Sequence, residues 1–399
     1  MNILLLEPFF TGSHKNWASD FQKFSSHDVI ILPMPGYHWK WRMHIGAVEF
    51  SQRTQISSDN EERGSENSLQ SELPFLKFKN GAHKPDLILA TDMLDLSGFL
   101  GLTRSWSHRI PVAVYFHENQ LTYPWSPTDA DKKMQRDNHY AFINYTTALA
   151  ANKVLFNSVY HKESFLKELP GFLRSFPDCR NLETVEKIQK KSVVLPLALN
   201  LQAFDTHKPQ TIEKPNRAVV LWNHRWEYDK NPEQFFQSLF TLAEHGVDFR
   251  LIVLGESYEK CPAIFDAARE KLADKILHFG YAESFEEYCK WLWMADLLPV
   301  TSVQDFFGAG IVEAMYCNTV PLLPKRLAYP EHIPEKFHAT FFYDEGDFLS
   351  KLQRRIMDVK YLRVMDTQQY VTQYDWQNLI ATYDSVLAAI AENTAKEFD

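Results

Sequence analysis

Ala218-Val-Val-Leu-Trp-Asn-His-Arg-Trp-Glu-Tyr-Asp-Lys-Asn-Pro232 is the stretch on which the fold turns. Its first five residues form a short apolar run of strand length, and a helical pattern begins at Pro232 and runs to about His245. The polar connection between them holds two cations, Arg225 and Lys230. Strand, polar loop and helix in this order open a βαβ unit, and the loop then lies at the carboxyl edge of a parallel sheet, where such sheets bind ligands. Arg225 and Lys230, five residues apart, can converge there on one anion such as a diphosphate. A pair of surface cations near acidic neighbours is the other reading.

The same alternation continues in both directions. Downstream, strands are predicted at Phe249–Leu254, Ile276–Phe279, Leu297–Val300 and Val320–Leu323. Upstream they are predicted at Asn2–Leu6, Asp28–Leu32, Leu87–Ala90, Val112–Tyr115, Lys153–Asn157 and Ser192–Leu195. The chain of 399 residues exceeds what one core usually serves. An α/β protein of two Rossmann-like, doubly wound domains is therefore expected. Asp205–Asn216, weakly hydrophobic and with two prolines, reads as the linker. The expected division is 1–205, a linker at 206–216, a second domain at 217–375, and a helix within 376–399 that packs across the junction. Ser51–Glu72 is polar and lacks periodicity, so 51–72 is expected to be an exposed, mobile loop. No internal repeat suggests a solenoid.

Composition narrows the function. The net charge of −9 and a pI near 5.9 set the whole-molecule field against nucleic acid, so a polyanionic partner would need a local basic patch. Four cysteines, widely separated and without a CxxC pair, disfavour a zinc or redox-dithiol site and suit a reducing, cytoplasmic setting. The opening apolar run stops at Glu7 with no basic leader, so neither a signal peptide nor a membrane span is expected. There is no GxxxxGK[ST], GxSxG or early GxGxxG motif, which removes support for ATPase, esterase and dehydrogenase chemistry.

Three further clusters carry candidate chemistry. In Val303-Gln-Asp-Phe-Phe-Gly-Ala-Gly-Ile-Val-Glu313, Gly308 and Gly310 permit close backbone approach to phosphate at a helix start. Asp305 can accept from sugar hydroxyls, or cap the helix. Glu313 can hold a ribose diol, or line a solvated face. In His117-Glu-Asn-Gln-Leu-Thr-Tyr123, Leu121 stands where a zinc-protease motif needs its second histidine, so His117 reads either as a sugar contact or as a structural histidine. In Glu7-Pro-Phe-Phe-Thr-Gly12-Ser-His14, the glycine turn after the first strand would let amides approach a phosphate. Gly36-Tyr-His-Trp39-Lys-Trp41-Arg42 interleaves cations and indoles, which suits stacking on a base or sugar, or core tryptophans with snorkelling cations.

Arg225 and Lys230, followed some eighty residues later by Asp305 and Glu313 around Phe-Gly, resemble the retaining family 4 glycosyltransferases of the GT-B fold. Glu7-Pro-Phe…Gly12-Ser-His14, Trp39-Lys-Trp-Arg42, Ala90-Thr-Asp-Met-Leu-Asp-Leu96, Phe116-His-Glu-Asn-Gln-Leu121, Trp222-Asn-His-Arg-Trp-Glu227 and Tyr329-Pro-Glu331 resemble, more specifically, the tRNA-queuosine α-mannosyltransferase family. The likeness extends to about Pro334. Thr11 replaces a usual glycine and Gln304-Asp305 replaces His-Glu.

The resemblance implies two domains facing a central cleft and transfer of mannose from GDP-mannose, with retention, to queuosine at the tRNA wobble position. It implies a nucleotide-sugar donor and a queuosine tRNA as partners. No obligatory metal or cofactor is expected, because Arg225, Lys230 and the helix amides near Gly308 can neutralise the leaving diphosphate directly, and no membrane, because no stretch approaches eighteen apolar residues. Catalytic roles fall to His117, Arg225, Lys230 and Asp305. Donor contacts fall to Gly12, Arg225, Lys230, Asp305, Phe307, Gly308, Ala309, Gly310 and Glu313, and acceptor contacts to Ser13, His14, Trp39, Trp41, Arg42, Asn119 and Tyr123. A transferase of the same fold acting on a glycan, lipid or small metabolite, and a silent nucleotide-sugar-binding protein, are the alternatives.

Overall fold

Runs such as Leu87-Ile-Leu-Ala-Thr91 and Val112-Ala-Val-Tyr-Phe116 have no polar face to offer water, and every residue in them is buried. Such strands fit only a parallel sheet covered by helices on both sides. The computed structural model describes residues 1–54, 79, 84–126, 138–256 and 261–398, with side chains as far as 393. Among these, the first sheet contains β1 (Asn2–Phe10), β2 (Asp28–Pro35), β3 (Leu87–Thr91), β4 (Val112–Phe116), β5 (Lys153–Phe156) and β6 (Ser192–Val194). They lie in the order β2-β1-β3-β4-β5-β6, all parallel, so the winding reverses between β1 and β3.

The second sheet holds β7 (Ala218–Asn223), β8 (Phe249–Leu254), β9 (Ile276–Phe279), β10 (Leu297–Pro299), β11 (Val320–Pro324) and β12 (Phe342–Tyr343). Its order is β12-β11-β10-β7-β8-β9, again parallel, with the reversal between β7 and β10. Every strand expected from sequence is present. The exception in the other direction is β12, whose two residues carry no readable pattern.

The chain divides into two compact units, one of Met1–Tyr123, Asp131–Ala198 and Leu379–Asp399, the other of Pro124–Ala130 and Leu199–Asn378. The change of unit at Ala198 precedes the linker read from composition, and 206–216 lies inside the second unit. The physical reason is an ion cluster. Lys214 Nζ lies 3.1 Å from Asp296 Oδ1 and donates to Ala295 O at 2.8 Å, while Arg363 donates to both Asp296 oxygens at 3.0 and 2.9 Å. Asp296 also accepts from Val219 N–H at 3.0 Å, which ties the stretch to β7.

The last helix, Trp376–Phe398, belongs to the first unit from Leu379 onward. Tyr383 donates to Pro196 O at 2.7 Å and accepts from Trp17 Nε1 at 3.3 Å, and Asp384 accepts from Ser25 Oγ at 2.6 Å. The polar 51–72 stretch begins differently from its expected loop. Ser51 to Arg53 complete the helix Trp39–Arg53, with Ser51 buried and donating to Val48 O, and positions 55–72 lie outside the described residues. Among the described residues, no helix is long and apolar enough to cross a membrane.

Candidate active site

The second sheet reverses between β7 and β10, so the loops that follow those two strands share one carboxyl edge. Lys230 is carried there on a short turn after β7 and is only 8% exposed. Its ammonium donates to Gln304 O at 2.9 Å and lies 3.1 Å from Asp229 Oδ2 and 3.4 Å from Asp305 Oδ2. Burial alone would draw its pKa down; Asp305 and Asp229 outweigh that and hold it above the ordinary lysine value. Thr301 Oγ1 donates to Lys230 O and Asn231 O at 2.9 and 3.0 Å, and Tyr329 OH donates to Asp305 Oδ2 at 2.9 Å. Arg326 donates to the carbonyls of Thr301 and Ser302. The loop after β10 is thereby bound to the loop after β7.

Arg225 stands at the rim of this cluster. Its side chain is 45% exposed, lies 3.3 Å from Glu227 Oε2, and is near enough to Lys230 to oppose its charge. His224 is buried, and burial followed by the Lys230 charge pushes its imidazole down to about 4, so it is neutral at physiological pH. Among the described residues, neither His224 Nε2 nor Gln304 Nε2 has a hydrogen-bond partner. Two buried polar atoms without protein partners thus lie near the paired lysine and can still form hydrogen bonds.

Gly308, at φ 88°, turns the chain into the helix Ala309–Tyr316. A Cβ at Gly310 would lie 3.0 Å from Asn223 O, so a side chain there would press on the end of β7, which glycine lets the helix start approach closely. Glu313, one turn on, is half-buried and accepts from Tyr288 OH at 2.6 Å. Asn223 Nδ2 in turn donates to Tyr288 OH and to Gly310 O, both at 2.9 Å. Burial raises the Glu313 carboxyl to about 7, with the Tyr288 hydrogen bond opposing. The edge therefore offers cations and helix N–H groups for a diphosphate, and carboxylates for hydroxyls.

In the first unit the reversal lies between β1 and β3, and a second polar cluster occupies that edge. Glu7, fully buried, accepts from Phe9 N–H at 2.9 Å and Thr91 Oγ1 at 3.1 Å, and its other oxygen lies 3.2 Å from His14 Nδ1. Burial would make the His14 imidazole less basic, but Glu7, Asp92 and Glu118 prevail and raise it to about 9. His117, just after β4, has its N–H on Asp92 Oδ1 at 2.7 Å and its C=O on Asn157 Nδ2 at 2.8 Å. Burial, then the His14 charge and His161, push its imidazole well below the ordinary value. Burial raises Asp92 to about 8, against the pull of His14. Glu7, His14 and His117 are also the group, among the described residues, whose ligand atoms lie within 4.8 Å of one another. While His14 holds its proton the group contains an ion pair, and a metal bound there would have to displace that proton.

Several residues singled out in the sequence take other places. Phe307 is core: its ring meets His332 and Tyr374 edge-on, and its carbonyl accepts from His332 Nε2 at 2.6 Å. Only its backbone, not its ring, adjoins the Gly308 turn. Asn119 is fully buried, and its side-chain oxygen caps a turn by accepting from Leu121 N–H and Thr122 N–H, so that oxygen builds the loop and is not open to an acceptor. Trp39 packs on Tyr140 at 5.1 Å, whereas Trp41 is 55% exposed and Arg42 donates to Pro35 O at 2.9 Å while lying over the exposed Tyr37. Gly12, at φ 49°, and the exposed Ser13 open the helix Gly12–Phe24, Tyr123 is half-buried, and Ala309 is the first helical residue after Gly308. Sequence reasoning gave no site role to Tyr288, nor to Tyr329, Glu7 and Asp92, although the last three lie in segments that carry the family resemblance. A glutamate inside an apolar strand was the one available signal, and Tyr288 had none.

Two family models match the chain: the N-terminal region of tRNA-queuosine alpha-mannosyltransferase over residues 2–199, and glycosyl transferases group 1 over residues 203–365. A tRNA-queuosine alpha-mannosyltransferase of Drosophila melanogaster is 34% identical over 342 residues, which cover 84% of this chain and 82% of that protein. Among solved structures, a sucrose-phosphate synthase of Thermosynechococcus elongatus matches with a TM-score of 0.64 at 15% identity, covering 98% of this chain and all of the other. A glycosyltransferase of Rickettsia africae matches with a TM-score of 0.63 at 15% identity, covering 98% of each. These distant structures share the fold alone, the GT-B architecture of two Rossmann-like units. The likeness in sequence goes further: the chain belongs to the tRNA-queuosine alpha-mannosyltransferase family.

Proposed function

We propose that this glycosyltransferase moves mannose from GDP-mannose, with retention of anomeric configuration, onto a hydroxyl of queuosine at the wobble position of a tRNA. The observation that carries the donor half of this reading is the buried Lys230 ammonium at the sheet reversal, set between two carboxylates and bonded to the Gln304 carbonyl of the loop that leads to the helix start at Gly308. Few uses other than binding an anion justify a buried lysine beside buried polar atoms without partners.

The leaving group gains charge as the glycosidic bond breaks, and stabilising that charge is the largest task of the site. Arg225, Lys230 and the N–H groups after Gly308 serve the diphosphate. Asp305, released from Lys230 when phosphate arrives, accepts from sugar hydroxyls, and Glu313 accepts from the ribose diol. His117 hydrogen-bonds the transferred sugar. The departing phosphate oxygen takes the acceptor proton, so neither a protein nucleophile nor an obligatory metal is needed.

On the acceptor side, Lys40 lies 5.6 Å from the Trp39 ring centroid and Arg42 lies 5.8 Å from that of Tyr37, which gives a small cationic and aromatic surface on an otherwise acidic protein. Such a surface suits splayed bases of a tRNA loop. The name of the Drosophila relative supports this acceptor, and a tRNA substrate supports a cytoplasmic location. The test is to incubate the purified chain with labelled GDP-mannose, other nucleotide sugars, and tRNA with or without queuosine, followed by nucleoside mass spectrometry. A hexose mass on queuosine from GDP-mannose alone is expected. Equal labelling of tRNA that lacks queuosine would refute the acceptor, and transfer from another donor would refute GDP-mannose.

A further inference from the structure

His117 is restrained far more than a binding histidine on a loop requires. Its backbone is fixed on both sides by Asp92 and Asn157. Its ring has Trp17 at 4.7 Å and Tyr115 at 4.8 Å, both edge-on, and His14 at 4.2 Å with a tilt of 40°. Among the described residues, its Nε2 is buried and has no hydrogen-bond partner, and the residue as a whole is 9% exposed. A ring boxed on three sides whose buried nitrogen has no protein partner keeps a hydrogen-bonding atom in reserve.

The least expected member of this box is Glu7. It lies on β1, next to the middle of the sheet, where an apolar residue would be the cheaper choice. Both of its oxygens are engaged internally, one by Phe9 N–H and Thr91 Oγ1, the other by His14. It therefore acts through His14.

We propose that Glu7 and His14 form a buried ion pair whose task is to position His117 and, together with the burial of its ring, to keep that ring neutral, so that the transferred sugar meets it in one protonation state. The inference rests on the reading of His117 as a sugar contact. An imidazolium at 4.2 Å opposes a second positive charge on the neighbouring ring. Glu7 keeps that imidazolium charged within a buried setting that would otherwise discharge it. The charged and titratable groups around the pair are Asp92 after β3 and His117 and Glu118 after β4; around the His117 ring they are also Tyr115 on β4 and His161 from the helix Val159–Arg174, with Tyr383 behind Trp17. His14 is raised to about 9, so it stays charged below that pH and loses its proton as pH rises through it. Without Glu7, burial draws it down.

Imidazole titration by NMR on the full-length chain, with labelled histidine and no substrate, decides the matter, with a transfer assay beside it. In the wild type, His14 should remain protonated to about pH 9, and Glu7→Gln should lower its midpoint by more than one pH unit. The alkaline fall in kcat should move with it, while KM for the donor changes little. If Glu7→Gln does not fold, His14→Gln gives a second readout, a rise in the His117 midpoint. A wild-type His14 midpoint below 7, an unmoved midpoint in the variant, or a pH profile of kcat that does not follow it would overturn the proposal. A wild-type chain that transfers no sugar to queuosine at any pH, yet shows the expected titration, would instead defeat the mannosyltransferase reading.

Discussion

Arg225 and Lys230 illustrate how two cations in one loop can do different work. Arg225 is half exposed and its ion pair with Glu227 lies at the rim, and exposed ion pairs are worth about 0–1 kcal/mol. Arg225→Ala should therefore lower the transfer rate about a hundredfold with an unchanged melting temperature; near-normal turnover in the folded variant would remove it from the mechanism. Lys230→Ala strips the cation from the fully buried Asp229, and a broken buried pair costs about 3–5 kcal/mol. Urea unfolding should show that loss. Glu313, raised to about 7 by burial, should bind a ribose diol only when ionised. GDP affinity, measured by calorimetry, should then rise about tenfold from pH 6 to pH 8 in the wild type and stay flat and weak in Glu313→Gln. The sign for stability is opposite. A carboxyl whose folded pKa lies above its ordinary value favours the folded state at low pH, and that contribution disappears as pH rises through about 7.

The decisive element is the helix Ala309–Tyr316 with its glycine entry. Gly308 has φ 88°, and a Cβ there would sit 3.2 Å from both Ile311 Cδ1 and Tyr329 Cε1. Gly308→Ala should cost about 1–2 kcal/mol in denaturant unfolding from left-handed strain alone, and should weaken GDP binding as the helix start shifts. An unaffected midpoint would show that the turn is not strained. This element was legible in the sequence, because glycines placed between a strand and a helix serve chiefly a tight turn or a close backbone approach. So were the strands, whose residues are apolar on both faces. Tyr288 was not legible: within Phe285–Met294 it differs from its neighbours only through the tertiary contact with Glu313. The linker was misplaced for a similar reason, since Lys214 looks solvated in sequence and is tied to Asp296 in the fold. At Asn119 the sequence did not show that the side-chain oxygen caps its own turn, because a polar residue after a strand can serve either a ligand or the turn.

At the scale of the whole molecule, the chain returns at its end to the unit in which it began. Tyr383, Leu387 and Ile390 of the last helix are buried in the first unit. Burying each such side chain is worth about 1.5–3 kcal/mol, so deletion of 379–399 removes a sum near the net stability of a domain. Calorimetry of the shortened chain should show the first unit's transition lost; an unchanged trace would mean that the helix is dispensable. The donor reading places diphosphate and ribose on the second unit, and a crystal structure with GDP tests it most directly. The diphosphate is expected within hydrogen-bond distance of Arg225, Lys230 and the amides after Gly308, with Glu313 on the ribose. GDP bound elsewhere, with Lys230 still shared between Asp229 and Asp305, would contradict it.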